Sequence, residues 1–299
     1  MGAYDQVIKK VLNGTVEKLL ERTMVLEKLA TTQYQGELTG KEGGDTVTVA
    51  YEPDITVRTA TPNTQLTYDQ PSPTTHEIRV DTAKYFVYKM DAFEEKQMGS
   101  NMAGALMKTI ADKVVYQFTK NIEDDIASLY TSAGIVLDTN GHYTNGGADI
   151  SNASALSVTS SNVFELFDNM CVLFDEANIP MEDRFAVVPP WACGKLRLTD
   201  RNLYLERMID KQITGKINEK VCGFNVYSSN SVKTSSTTYY PLFGVKKKSF
   251  AVIRQINPKA EDASRPDYFE SAVKMKILYG VDCHRSDMLG VAVVSKGTE

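Results

Sequence analysis

The chain has 299 residues, with 33 Lys and Arg against 38 Asp and Glu, three His, four Cys and one Trp. Its 42% hydrophobic content is enough for a sizeable core, which excludes a disordered tail or a mini-protein held by disulfides. A net charge of −5 spread along the chain excludes a duplex-gripping protein with a strongly basic face. No apolar run, Leu289 to Val294 included, approaches the roughly 18 residues of a membrane span.

Met1 to Leu20 alternates apolar with charged residues, so it lacks the apolar block of a secretory signal. Gly2 is not a myristoylation acceptor, because Gln6 stands where Ser or Thr is required. The expectation is a soluble chain, neither exported nor anchored. Cys171, Cys193, Cys222 and Cys283 are widely spaced with no C-x-x-C pair, which predicts reduced thiols and no zinc site.

Tyr4 to Leu29 carries Tyr4, Val7, Val11, Leu12, Leu19, Leu20 and Leu26 at helical spacing, predicting an amphipathic N-terminal helix or arm. Gly36 to Thr75 then gathers four glycines and four prolines, whereas no proline occurs between Pro73 and Pro180. Within the turn-rich segment, Thr46 to Tyr51, Ile55 to Arg58, Leu66 to Tyr68 and His76 to Val80 are short, Thr-rich and alternating. They read as strands with both faces wet. Such a segment buries little by itself, so it is expected to project and lie on something else, and deleting Gly40 to Ser72 should leave the body folded. Ala83 to Met90 is more apolar and is expected to return the chain to the core.

From Ala92 to Tyr130, Met98, Met102, Leu106, Ile110, Val114, Phe118, Ile122, Ile126 and Tyr130 recur at four-residue steps. This predicts one helix of about 35 residues and about 50 Å, the alternative being two helices broken near Gly99 or Gly104. Asn140-Gly141 and Asn145-Gly146-Gly147 beside strand-like Ile135 to Leu137 signal a hairpin or surface loop. A second helix is expected from Asn162, with Val163, Leu166, Phe167, Met170, Leu173, Phe174 and Ala177 inward, and Asn162 with Glu165 as its cap. Arg184 to Pro190 reads as a buried strand followed by a short helix from Trp191. Val221 to Tyr227, Tyr239 to Phe243, Ser249 to Ile253, Phe269 to Val281 and Leu289 to Val294 complete the strands.

No catalytic constellation emerges. Gly36 to Gly40-Lys41-Glu42 has the wrong spacing for a phosphate loop and no hydroxyl for magnesium, and dinucleotide, nucleophile-elbow and zincin motifs are absent. Asp282-Cys283-His284-Arg285 with Asp287 is the densest polar cluster, but adjacent strand residues face opposite ways, so Cys283 and His284 cannot act as nucleophile and base. His76 and His142 read as solvated surface residues, Glu94-Glu95 and Asp124-Asp125 as helix faces, and Lys246-Lys247-Lys248 as edge charge. The expectation is a protein that is not an enzyme and needs neither metal nor cofactor.

The order of arm, polar excursion, long helix and α/β unit resembles the major capsid proteins of tailed double-stranded-DNA bacteriophages. Gly44 to Tyr51 through Ile55 to Arg58 looks like the family's extended loop, with Leu66 to Gln70, Ile78 to Val80 and Lys84 to Phe86 as its return. Arg184 to Trp191, Cys222 to Tyr227 with Ser229-Asn230, and Leu278 to Gly280 before Leu289 to Val294 are similar to its axial domain and final strands.

The resemblance implies an α+β fold divided into arm (1–35), extended β loop (36–82), peripheral domain with spine helix (83–157), axial domain (158–255) and return strands (256–299). It implies a structural protein of the virion that self-assembles as hexamers and pentamers of an icosahedral head. That head, assembled in the host cytoplasm, encloses double-stranded DNA, with no sequence-specific binding and no membrane. Tyr51, Ile55, Arg58, Leu66 and Tyr68 would contact neighbouring subunits. Because the arm begins near Met1, a separate scaffolding protein is expected, with portal and decoration proteins as further partners. Two other readings stand: an encapsulin-like nanocompartment shell, and a soluble α/β enzyme using His284 and Asp287 as acid and base.

Overall fold

The computed structural model describes residues 24–34, 45–52, 55, 57–59, 65, 68, 72–98, 100–139, 150, 153–199, 220–259, 261–263 and 267–298. Most of the expected N-terminal helix, the turn residues 140–149 with His142, and Leu66 lie outside these residues. Of the arm, a short helix α1 (Leu26–Leu29) is described, and both of its leucines are buried.

The centre is a six-stranded mixed sheet built from β4 (Ile135–Leu137), β6 (Arg184–Val188), β7 (Lys220–Val221), β8 (Phe224–Ser228), β11 (Leu242–Val245) and β15 (Leu289–Ala292). Its order is β4-β15-β11-β6-β8-β7, with β4 parallel to β15 and β6 parallel to β8. All five residues of β6 are buried because the sheet is covered on both sides. Phe185 and Val187 join a cluster with Leu242, Leu289, Val291 and the long helix, while Ala186 and Val188 join Phe243, Val226 and the second helix.

That second helix, α4 (Val163–Glu176), buries Val163, Leu166, Phe167, Met170 and Phe174 of the predicted stripe, while Leu173 and, just beyond its end, Ala177 are half-buried. Its start is as expected at Asn162, but the expected cap is not made. The Asn162 amide turns back instead, accepting from Thr159 N at 2.7 Å and donating to Ser157 O at 2.8 Å. Helix α5 (Pro190–Thr199) follows β6 directly and sends Lys195 inward, where Nζ donates to Val158 O at 2.9 Å and Gly297 O at 2.6 Å.

Two expected single strands are hairpins or corners. Val221 to Tyr227 folds back on itself through Cys222 and Gly223, whose φ values of 46° and 84° make a tight two-residue turn. Tyr239 to Phe243 is cut at Pro241: β10 (Thr238–Tyr240) belongs to a separate small sheet, with β9 (Lys233–Ser235), β5 (Leu156–Val158) and β16 (Val294–Lys296). A proline cannot donate to a ladder, so the chain changes sheets there. β4 pairs in parallel with β15, and the turn-signal residues after it lie outside the described residues.

A second, elongated sheet carries the rest. β14 (Glu270–Asp282) pairs antiparallel with the whole of β3 (Thr82–Asp91), from Glu270↔Asp91 to Tyr279↔Thr82, and with β12 (Ala251–Ile256) and β13 (Glu261–Asp262). Against it lies α3 (Ser100–Ser128), 29 residues and about 44 Å long. A seven-residue helix α2 (Ala92–Met98) precedes α3, so the two-helix alternative holds at this end, although most of the predicted length is one helix. Val114, Phe118, Ile122 and Ile126 are buried, whereas Leu106 and Ile110 are half-buried. β3 does not return fully to the core: residues alternate along its length and only Met90 is fully covered. Its first half and α3 enclose a groove of about 340 Å³.

Candidate subunit-contact surface and the root of the extended segment

The Thr-rich segment begins and ends in a strand pair. β1 (Thr46–Ala50) and β2 (Thr75–Arg79) run antiparallel from Thr46↔Arg79 to Ala50↔Thr75, and Tyr51 N donates to Thr74 O at 2.8 Å. The expectation of two wet faces is overturned here. Val47, Val49 and Ile78 point one way and pack with Val80, Ala251 and Ile253 in a buried cluster of their own. Alternation places Thr46, Thr48 and Glu77 on the other side, so a single face is wet. A deletion from Gly40 to Ser72 would therefore remove core residues, contrary to the sequence-based expectation.

The pair crosses β14 at backbone contact. A Cβ on Gly280 would lie 2.1 Å from Arg79 O and 3.0 Å from Val80 Cα, so only glycine permits this approach. His76 continues the buried face of Ile78 and reaches Asp282 at the end of β14, Nε2 to Oδ2 at 2.7 Å. This corrects the reading of His76 as a solvated surface residue. The Tyr51 hydroxyl donates to His284 O, and the Arg285 guanidinium stands 5.9 Å from the Tyr51 ring centroid. Arg285 also pairs with Asp287 at 3.3 Å.

The polar cluster that is densest in the sequence thus anchors the segment. Cys283 is buried and its thiol is pushed up to about 12, by burial first and then by Asp282 and Asp287. His284 is 8% exposed, meets Tyr34 edge-on at 5.8 Å and leaves Nδ1 without a hydrogen-bond partner. Burial lowers its pKa from 6.5 to about 4; Arg285 and His76 push the same way, against Asp282 and Asp287. Near neutral pH the Cys283 thiol therefore keeps its proton and the His284 ring is uncharged, while Asp287 is engaged by Arg285. Among the described residues no group of three His, Cys, Asp or Glu could hold a metal ion.

The titration of His284 has a sign that can be worked out. Its folded-state pKa is depressed, so the unfolded chain takes the proton more readily, and stability present above pH 6.5 is lost as pH falls toward 4. The full difference is about 3 kcal/mol. Urea unfolding at pH 7 and pH 4 should show His284→Phe losing less stability on acidification than the unmodified chain. Equal losses would remove His284 from the account.

Beyond the root the side chains are different in kind. Ile55, Val57 and Tyr68 are 78%, 91% and 93% exposed, and Arg58 is exposed as well. Of the five expected contact residues, then, Tyr51 is held inward by its hydroxyl, Ile55, Arg58 and Tyr68 face outward, and Leu66 lies outside the described residues. A second apolar surface was not anticipated. Tyr85 on β3 is 81% exposed, and Phe269 meets Phe93 at 6.5 Å at the far end of β14, both open to solvent. The alternation in Ala83 to Met90 contains the signal for Tyr85, once one face of β3 is known to be open.

No family model matches the chain, and neither does any curated protein. Among solved structures it is similar to one from Mycobacterium phage Che8, at 18% identity and a TM-score of 0.69, over 95% of this chain and 96% of that one. The capsid of the cyanophage P-SCSP1u matches at 15% identity and a TM-score of 0.67, over 99% and 95% of the two chains. The capsid of Ralstonia phage GP4 matches at 11% identity and a TM-score of 0.67, over 97% and 95%. Its mixed α+β architecture, from the seated strand pair to the final strands, is the fold of tailed-phage major capsid proteins.

Proposed function

We propose that the chain is the major subunit of an icosahedral phage head, assembling as hexamers and pentamers into a shell that encloses double-stranded DNA. The observation that carries this reading is the contrast within one segment. Its root is fixed to the body by Gly280, His76 and Tyr51, yet Ile55, Val57 and Tyr68 beyond it are largely exposed. Exposed apolar residues on a seated projection are stabilised when a neighbour covers them. In the shell, residues 36–82 overlie a neighbouring subunit, the six-stranded sheet with α4 and α5 forms the axial unit, and β3, β14 and α3 form the peripheral limb. A net charge of −5 suits a container that holds nucleic acid without gripping it. A separate scaffolding protein, a portal and decoration proteins complete the assembly.

The test removes the projection and spares its root. Tyr51 and Thr74 are already hydrogen-bonded, so a short glycine turn replacing residues 53–71 closes the hairpin without moving Val47, Val49 or Ile78. The shortened chain is expected to unfold cooperatively with near-normal stability and to sediment as a small species where the full chain forms large assemblies. Assembly that survives the deletion would refute the role of this segment.

A further inference from the structure

Two of the four thiols belong to neighbouring elements where α4 packs on the six-stranded sheet. Cys171 lies on α4 and Cys222 in the turn between β7 and β8, both half-exposed and both free. The place a Cβ would take on Gly223, next to Cys222, has Cys171 Sγ as its nearest contact outside the adjoining residues, at 4.0 Å. Burial first, and then Asp168 and Cys171, raise the Cys222 thiol above its ordinary pKa, and those two residues stand three apart on one ridge of α4. The approach of Gly223 to Cys171 puts the turn over this ridge. The turn is also tightly fixed, since Lys220↔Asn225 and Val221↔Phe224 pair on either side of it and Phe224 packs on Phe174 of the same helix at 5.3 Å.

We propose that Cys171 and Cys222 are a redox-modification site that closes to an intramolecular disulfide, tying α4 to the edge hairpin of the sheet. With a low-molecular-weight disulfide as oxidant, one protein thiolate attacks a sulfur of oxidised glutathione and releases one glutathione thiolate. The second protein thiolate then attacks the protein sulfur of the mixed disulfide and releases the other. Two protein thiols are oxidised, one glutathione disulfide is reduced, and the two protons pass to the released thiolates. Burial and the neighbouring carboxylates raise both protein thiols above their ordinary pKa, so exchange is slow at neutral pH and faster in mild alkali. The buried Cys193 and Cys283 stay reduced.

The test is peptide mapping without reductant after incubation of the full chain with oxidised glutathione at about pH 8.5. The expected product links the peptides containing Cys171 and Cys222 within one chain, with two titratable thiols lost and a raised thermal midpoint that dithiothreitol reverses. Cys171→Ser and Cys222→Ser should each yield a stable glutathione adduct on the remaining cysteine and no raised midpoint. Separate glutathione adducts on both cysteines of the unmodified chain, a link between two chains, or a link to Cys193 would overturn the proposal. It is independent of the shell reading, because every readout is made on the subunit.

Discussion

Arg184→Ala is expected to cost on the order of 3–5 kcal/mol of folding stability, the largest effect of any single substitution considered. Arg184 opens β6 with no exposed surface, yet it carries a full charge. Its Nε donates to Pro180 O at 3.0 Å, a terminal nitrogen donates to Ile179 O, and the same nitrogen pairs with Asp175 at 2.8 Å. The guanidinium carbon lies 5.5 Å from the Phe174 ring centroid and 5.9 Å from that of Phe224, so the group also fills space between α4 and the sheet. Truncation leaves two carbonyls without their donor and a cavity between two aromatic rings. Lysine cannot reproduce the fork, so Arg184→Lys should recover little. Asp175 is 44% exposed, and Asp175→Asn should cost under about 1 kcal/mol. Urea unfolding of the three variants checks the ranking; an Arg184→Ala loss no larger than that of Asp175→Asn would contradict it.

Gly280→Ala is expected to be the next most damaging, and its effect reaches assembly. The added methyl would sit 2.1 Å from Arg79 O and 2.9 Å from its carbon, and both are backbone atoms with no rotamer to change. β2 must move off β14, which breaks the His76 to Asp282 contact and opens the cluster of Val47, Val49 and Ile78. Overpacking of this kind costs about 1–3 kcal/mol. Because the root sets where the exposed loop residues point, this variant should also assemble far less than a control substitution of equal stability cost in the axial sheet. Matched assembly of the two would show that the root does not position the loop.

Much of this architecture was legible in the sequence because local periodicity decided it. The four-residue step of Val114, Phe118, Ile122 and Ile126, the stripe of α4 and the uninterrupted apolar run of β6 each correspond to one element. What was not legible depends on residues far apart in the chain. His76 read as solvated because Asp282, 206 positions away, cannot be foreseen as its partner. β1 and β2 read as wet on both faces because Ala251 and Ile253 of β12 supply the cover. Asn162 is a separate case: it has the right residue type for a cap, but its amide has competing local partners in Ser157 and Thr159, and that turn wins. The exposed apolar residues were partly legible: Ile55 and Tyr68 stand in a polar, turn-rich stretch, whereas the open face of β3 with Tyr85 looked like core until the sheet edge was known.

Electron microscopy of the expressed full-length chain tests the central claim most directly. Closed shells, tubes or isolated capsomers built from repeating subunits are the predicted result. A chain that remains monomeric at every concentration and salt condition, with its Ile55, Val57 and Tyr68 surface uncovered, would contradict the account.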